Sequence, residues 1–210
     1  MDYFFILILI GGYLIGSIPF GLLLTKAAGL GDIRTIGSGN IGATNVLRTG
    51  NKKLALLTLL LDGGKGAVAI LLLLGSMPQP LTDQFMLDAN APYVFALSVG
   101  LAAILGHCFP LWLRFKGGKG VATTLGVLLS AVPLTGVIAC AVWLLSAFLS
   151  RFSSLSALLA TLSAPLSAYF LYGPAAAALC ALIALLVWGK HHQNIRRLLK
   201  GEEPRIGRKS

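Results

Sequence analysis

The chain has 210 residues, is 56% hydrophobic and only 11% charged, and carries a formal net charge of +10. A soluble domain holds roughly 25% charged residues, so this composition, with a mean hydropathy of +0.84, excludes an ordinary soluble protein and points to a membrane. Nor is the basic excess a nucleic-acid signal, because the lysines and arginines lie between apolar runs, where membrane proteins place cytoplasmic anchors.

The N-terminal run MDYFFILILIGGYLIG carries Asp2 rather than the basic start of a signal peptide, and reads as an uncleaved first span over residues 3–24. The loop that follows sets Lys26, Arg34, Arg48, Lys52 and Lys53 against Asp32. That balance puts the loop in the cytoplasm and the N-terminus outside. A second span over residues 54–74 leads to SMPQPLTDQFMLDANAP, which has two Asp and no Lys or Arg, and so belongs outside. A third span over residues 92–113 returns inward at Arg114, Lys116 and Lys119. The tail from Lys190 is strongly basic and belongs inside too, so residues 121–189 cross an even number of times. Two crossings would strand Arg151 outside and need helices of more than about 30 residues, where roughly 20 suffice. Four crossings break at 133–136, at 150–154 and at 172–174, and put Arg151 inside. The expected fold is a single all-α transmembrane domain over residues 1–210, with seven membrane helices, five being the alternative count. Cys108, Cys140 and Cys180 are far apart in apolar surroundings and read as small buried hydrophobes.

Polar residues interrupt this pattern in four places. Asp62 and Lys65 fall near the middle of the second span, three apart, on one helix face. A charge at mid-bilayer costs about 2.5–3.5 kcal/mol on the gentler scale, so the pair either fixes packing or supports the wall of a polar site. The first island is GSGNIGATNVLRTG, residues 37–50. In the second, residues 106–126, a GGKG at 117–120 precedes a helical run; glycines at a helix start can offer backbone N–H groups to an anion, and Lys119 adds a point charge. His107, at the end of the third span, is expected to be structural. The third island is the tail HHQNIRRLLKGEEPRIGRKS. Its cations suit acidic headgroups, which leaves His191 and Asn194, one helical turn apart, without an account.

Several familiar motifs fail on context. Residues 37–42 match G-x-G-x-x-G, but a dinucleotide site needs a preceding strand, and here a spanning helix precedes. Neither GGKG is a Walker loop, since Leu59 and Leu113 stand where its first Gly belongs. There is no G-x-S-x-G elbow, and the scattered Asp residues leave a metal-dependent phosphotransferase without ligands. All three islands fall on the cytoplasmic side. Together they offer cations, small hydroxyl and amide donors and one plausible base, which suits an anionic substrate, a phosphate above all.

GSGNIGATNVLRTG, GHCFPLWLRFKGGKGVAT and HHQNIRRLLKGEEPRIG resemble the three motifs of the bacterial acyl-phosphate:glycerol-3-phosphate acyltransferase family, often called PlsY; GSIPFG and DGGKG also match its pattern. The resemblance spans essentially the whole chain in order. It implies a multi-pass enzyme of the bacterial inner membrane, its active site facing the cytoplasm. The reaction it implies moves a fatty acyl group from acyl phosphate to the 1-position of sn-glycerol 3-phosphate, giving lysophosphatidate, with no cofactor and no metal. By motif, Ser38 and Arg48 would hold substrate phosphate, helped by Asn40, Thr44 and Asn45. Gly117, Gly118, Lys119 and Gly120 would form the acyl-phosphate loop. His191 and Asn194 would sit at the reacting hydroxyl, with Asp62, Lys65 and Glu203 in support. The expected partners are the two substrates, membrane lipids and, as a candidate, the enzyme that supplies acyl phosphate; no nucleic acid is expected. The proton of the attacking hydroxyl would go to His191 or to substrate phosphate, which titrates near pH 6. The rival reading is a transporter of an anionic phosphorylated metabolite.

Overall fold

The computed structural model describes residues 2–76 and 91–207, and every regular element within them is helical. In chain order these are α1 (Asp2–Gly16), α2 (Phe20–Ala27), α3 (Ala43–Leu47), α4 (Lys52–Gly75), α5 (Ala91–Cys108), α6 (Val121–Ala131), α7 (Pro133–Ser150), α8 (Ser153–Lys190) and α9 (His192–Leu199). Two 3-10 turns, Ile33–Thr35 and Leu111–Leu113, punctuate the loops. Five segments are long and apolar enough to cross a membrane: Tyr3–Ala27, Lys52–Leu72, Ala91–Leu113, Pro133–Ser150 and Ser153–Lys190. Most of the acidic segment expected outside the membrane, residues 77–90, lies outside the described residues.

The first predicted span is broken between α1 and α2. Pro19 has no N–H to give and cannot continue the helix, so carbonyls before it lose their partners. Such groups must be satisfied from elsewhere in a membrane protein. Trp112 Nε1 donates to Ser17 O at 2.7 Å and Lys65 Nζ to Ile18 O at 2.8 Å. The break is thereby tied to α4 and to the turn after α5.

α8 is a hairpin rather than a rod. Gly173, at φ 86° and ψ 175°, interrupts it just before Pro174. Trp188 Nε1 donates to Thr161 Oγ1 at 3.2 Å and to Leu158 O at 3.3 Å. At 1.5 Å rise per residue a continuous helix would hold residues 161 and 188 about 40 Å apart. Residues 153–172 and 174–190 are therefore antiparallel arms.

Contacts sort the helix ends into two groups. The Tyr93 and Tyr172 rings meet edge-on at 4.8 Å, and Leu134 N donates to the Tyr172 hydroxyl. Phe5 lies 5.4 Å from Phe95. The starts of α1, α5 and α7 thus share one end with the α8 bend. At the other end Lys119 meets Asn194, Thr44 meets Ser153, and Ile206 N donates to Arg151 O. All three polar islands gather at this second end.

α6 has 11 residues, about 17 Å of helix against a hydrocarbon core of about 30 Å. The loop before it explains how so short a helix joins the bundle. After the Leu111–Leu113 turn the chain folds back along the end of α5, with Gly117 N donating to Cys108 O and Gly118 N to His107 O. α6 therefore starts below the bundle's rim, and the GGKG loop lines a recess. Large apolar side chains cover the outside (Phe148, Phe170 and Leu185 are all strongly exposed), whereas the interior is rich in Ala. That is the arrangement for helices solvated by lipid and packed through small residues.

Candidate active site

The first island is a rigid loop. Ile33, Ile41 and Val46 are buried with Leu22 and Ala55 in a small core of their own beneath it. Asn45, also buried, ties the loop together: its Nδ2 donates to Asn40 O, Ile33 O and Ile36 O at 2.8–3.0 Å, and its Oδ1 accepts from Ser38 N and Oγ. Asn45 thereby shapes the loop that presents Ser38. Thr44 pairs with Ser153 Oγ at 3.3 Å, and Asn40 Oδ1 accepts from Ile41 N. Arg48 reaches back over Gly37, which stands at φ +54° and leaves no room for a Cβ beside the guanidinium.

The GGKG loop gives a second reason for glycine. Lys65 Nζ donates to Asp62 Oδ1 at 2.9 Å, to Ile18 O and to His107 Nδ1 at 2.9 Å. With Nδ1 accepting, the His107 ring is fixed with Nε2 packed under Gly118, where a Cβ would overlap it. Asp62 and Lys65 are thus one buried ion pair that props His107, and His107 props the loop. The Gly117 and Gly118 N–H groups are spent on Cys108 O and His107 O, so the loop meets an anion with the Lys119 ammonium rather than with those two amides. The first amides of α6, which have no acceptor within the helix, follow directly behind it.

The tail supplies the third side. His191 is 3% exposed, and its Nδ1 lies 2.8 Å from Val187 O. A carbonyl only accepts, so Nδ1 carries the proton and Nε2 keeps its lone pair. Burial holds the imidazole down to about pKa 4, the Lys119 charge adding to this and the Val187 bond opposing it; the ring is neutral at physiological pH. Lys119 Nζ donates to Asn194 Oδ1, and Asn194 Nδ2 to Glu203 Oε1, both at 2.6 Å. Glu203 also accepts from Ser154 Oγ at 2.6 Å and Arg197 Nε at 2.7 Å. Burial alone would raise its carboxyl, but these bonds and the Arg197 charge together lower it. Burial lowers Lys119 to about 8 against the pull of Glu203, with Arg197, Arg48 and Lys190 pushing the same way as burial. Four cations therefore share this neighbourhood with one carboxylate, a potential that favours a phosphate dianion.

A cavity of about 510 Å³ joins the islands, lined by Ser38, Gly39 and Asn40, by Gly117–Lys119, and by Lys190, His192 and Gln193, with Phe109, Leu185 and Leu186 on its apolar side. Lys190, not singled out from the sequence, donates to Cys108 O at 3.1 Å and lies 4.5 Å from the Phe109 ring centre. Ser154 and Arg197 were missed as well. Arg197 is three residues from Asn194, on the same helix face, and could have been found; nothing in the local sequence marks Ser154.

The chain matches the family model described as glycerol-3-phosphate acyltransferase over residues 6–201. A glycerol-3-phosphate acyltransferase of Rhodospirillum rubrum is 56% identical over 200 residues, 95% of this chain and 90% of that protein. One of Mesorhizobium japonicum is 53% identical over 209 residues, the full length of both. The crystal structure of PlsY (YgiH), an integral membrane glycerol 3-phosphate acyltransferase, in its glycerol 3-phosphate form is similar with a TM-score of 0.83 and 37% identity, covering 97% of this chain and 96% of that one. Its lysophosphatidic acid form gives a TM-score of 0.81. With motifs, helices and relatives in agreement from end to end, this chain belongs to the glycerol-3-phosphate acyltransferase family and is a multi-pass integral membrane acyltransferase.

Proposed function

We propose that the chain transfers a fatty acyl group from acyl phosphate to the 1-hydroxyl of sn-glycerol 3-phosphate, releasing 1-acyl-sn-glycerol 3-phosphate and inorganic phosphate. The observation that carries this reading is one cavity that joins Ser38, Lys119 and Lys190, with the Arg48 charge acting through space on Lys119 and the Lys119 charge on a buried, neutral His191. Two phosphates need cations, and one hydroxyl needs a base. One relative, crystallised in glycerol 3-phosphate and lysophosphatidic acid forms, agrees with this acceptor and product.

In this mechanism Arg48 and Ser38 hold the phosphate of the acceptor, and Lys119 and Lys190 neutralise that of the donor, whose chain lies along Phe109, Leu185 and Leu186. The glycerol 1-oxygen attacks the acyl carbonyl carbon, the bond from that carbon to the phosphate oxygen breaks, and phosphate leaves with the bonding pair. The hydroxyl proton passes to His191 Nε2. Glu203 and Asn194 aim Lys119. No acyl-enzyme forms, because acyl phosphate is already activated and positioning with charge neutralisation suffices. The membrane reading completes the proposal: seven helical passes counting both arms of α8 and the short α6, the N-terminus outside, and the cation-rich end with the C-terminus in the cytoplasm, in the bacterial inner membrane.

The test is direct. Purified protein is incubated with palmitoyl phosphate and glycerol 3-phosphate, with palmitoyl-CoA as the control donor. Lysophosphatidate and phosphate should appear in equal amounts from palmitoyl phosphate alone. Monodisperse, thermally cooperative protein that yields neither would overturn the reading.

A further inference from the structure

A second cavity, of about 480 Å³, opens at the same end of the bundle and shares no lining residue with the first. Lys26, Arg34, Arg114 and Lys116 stand around it, and Trp112 and Leu113 form apolar wall. These residues come from the last turn of α2, the Ile33–Thr35 turn and the turn after α5. Two candidate spans, Tyr3–Ala27 and Ala91–Leu113, end here. The cavity therefore sits where hydrocarbon gives way to headgroups, a depth that Trp favours. Trp112 is fixed there by its indole N–H on Ser17 O.

The charges are not cancelled. Among the described residues, Arg34 is paired with Asp32 at 2.5 Å, while Lys26, Arg114 and Lys116 have no carboxylate within ion-pair distance. Asp32 reaches Lys26 only through space. Three net positive charges face a half-open cleft with an apolar wall, and the acyl transfer chemistry uses none of them.

We propose that this cavity binds a phosphate monoester group at the membrane edge, apart from the reaction site. A lipid phosphate would seat its headgroup among Lys26, Arg34, Arg114 and Lys116 and lay its chain against Trp112 and Leu113. Free phosphate would use the cations alone. The inference rests on the candidate spans being membrane helices, not on the reaction proposed above.

The experiment uses the full chain with Trp143→Phe and Trp188→Phe, so that Trp112 is the sole indole, in phosphatidylcholine nanodiscs. Chain-brominated phosphatidic acid should quench Trp112 at a lower mole fraction than chain-brominated phosphatidylcholine. In K26Q/R114Q the preference should fall by about fivefold for each cation removed. Millimolar inorganic phosphate that reverses the quenching assigns the site to the phosphate group itself; quenching that persists assigns it to the lipid. Native mass spectrometry of phosphatidic acid retained by the otherwise unaltered chain gives a second readout of the same loss. Equal quenching by the two lipids, or an unchanged preference in K26Q/R114Q that still melts like the parent, overturns the proposal. No turnover is needed for this measurement, so its failure and failure of the acyltransfer assay are separate results.

Discussion

Replacing Glu203 with Gln removes one charge and no volume. In the native site the carboxylate accepts three hydrogen bonds, from Ser154, Asn194 and Arg197. Gln keeps an oxygen for Ser154 and Asn194 but turns an N–H toward Arg197 Nε, donor against donor. The two retained bonds fall from charge-assisted to neutral, about 1 kcal/mol each. The Arg197 pair adds less than about 1 kcal/mol, because the Arg197 side chain is 33% exposed and water replaces its partner. The total is about 2–3 kcal/mol, or roughly 5–10 °C in Tm for a chain of this size, read by thermal unfolding in detergent. A second consequence separates a positioning role from a merely structural one. Glu203 supports the charge on Lys119, which stands at about 8; without it the ammonium gives up its proton at lower pH. KM for acyl phosphate should therefore begin its rise below pH 8 in Glu203→Gln, while the wild type holds to about 8. An unchanged Tm together with an unchanged basic limb would show that the Glu203–Asn194–Lys119 chain does not work as described.

His191→Gln should lower kcat by about 10²–10⁴ with little change in either KM. Because burial lowers the wild-type imidazole to about 4, it is in its basic form throughout the neutral range. The acid limb of kcat, which reports the bound complex, should fall near pH 4 with His191 as base; a His191→Gln variant that keeps this limb and more than about a tenth of wild-type kcat would refute the assignment. Gly118→Ala places a methyl against His107 Nε2, so kcat should fall at least about tenfold, since misplacing a catalytic group by about 1 Å can cost a hundredfold; steady-state kinetics at unchanged Tm checks this. Lys65→Met leaves Asp62 buried without its partner, a loss of about 3–5 kcal/mol, and adding Asp62→Leu should recover most of the Tm measured in the same detergent.

Membrane class, the three long apolar helices that lead the described residues and the three islands were legible from the sequence, because hydrophobic runs and lysine–arginine placement report directly on the bilayer. The breaks near 133, 151 and 173 were legible for the same reason: Pro, Gly and Arg interrupt otherwise apolar stretches. The resemblance of the motifs named the family and nominated Ser38, Arg48, Lys119 and His191. Other features were settled by tertiary contacts between residues far apart in sequence. The sequence could not say that α6 starts below the rim, since that depends on Gly117 and Gly118 hydrogen-bonding to the end of α5. Nor could it separate Asn45, buried in its own loop, from Ser38, which lines the cavity. Ser154 meets Glu203 across 49 residues and Lys65 meets His107 across 42, and no local pattern encodes either contact. The chain's composition determines that it folds in lipid and where its charges must emerge. Its packing decides which of those charges converge on one cavity, because convergence is a property of the bundle and not of any single helix.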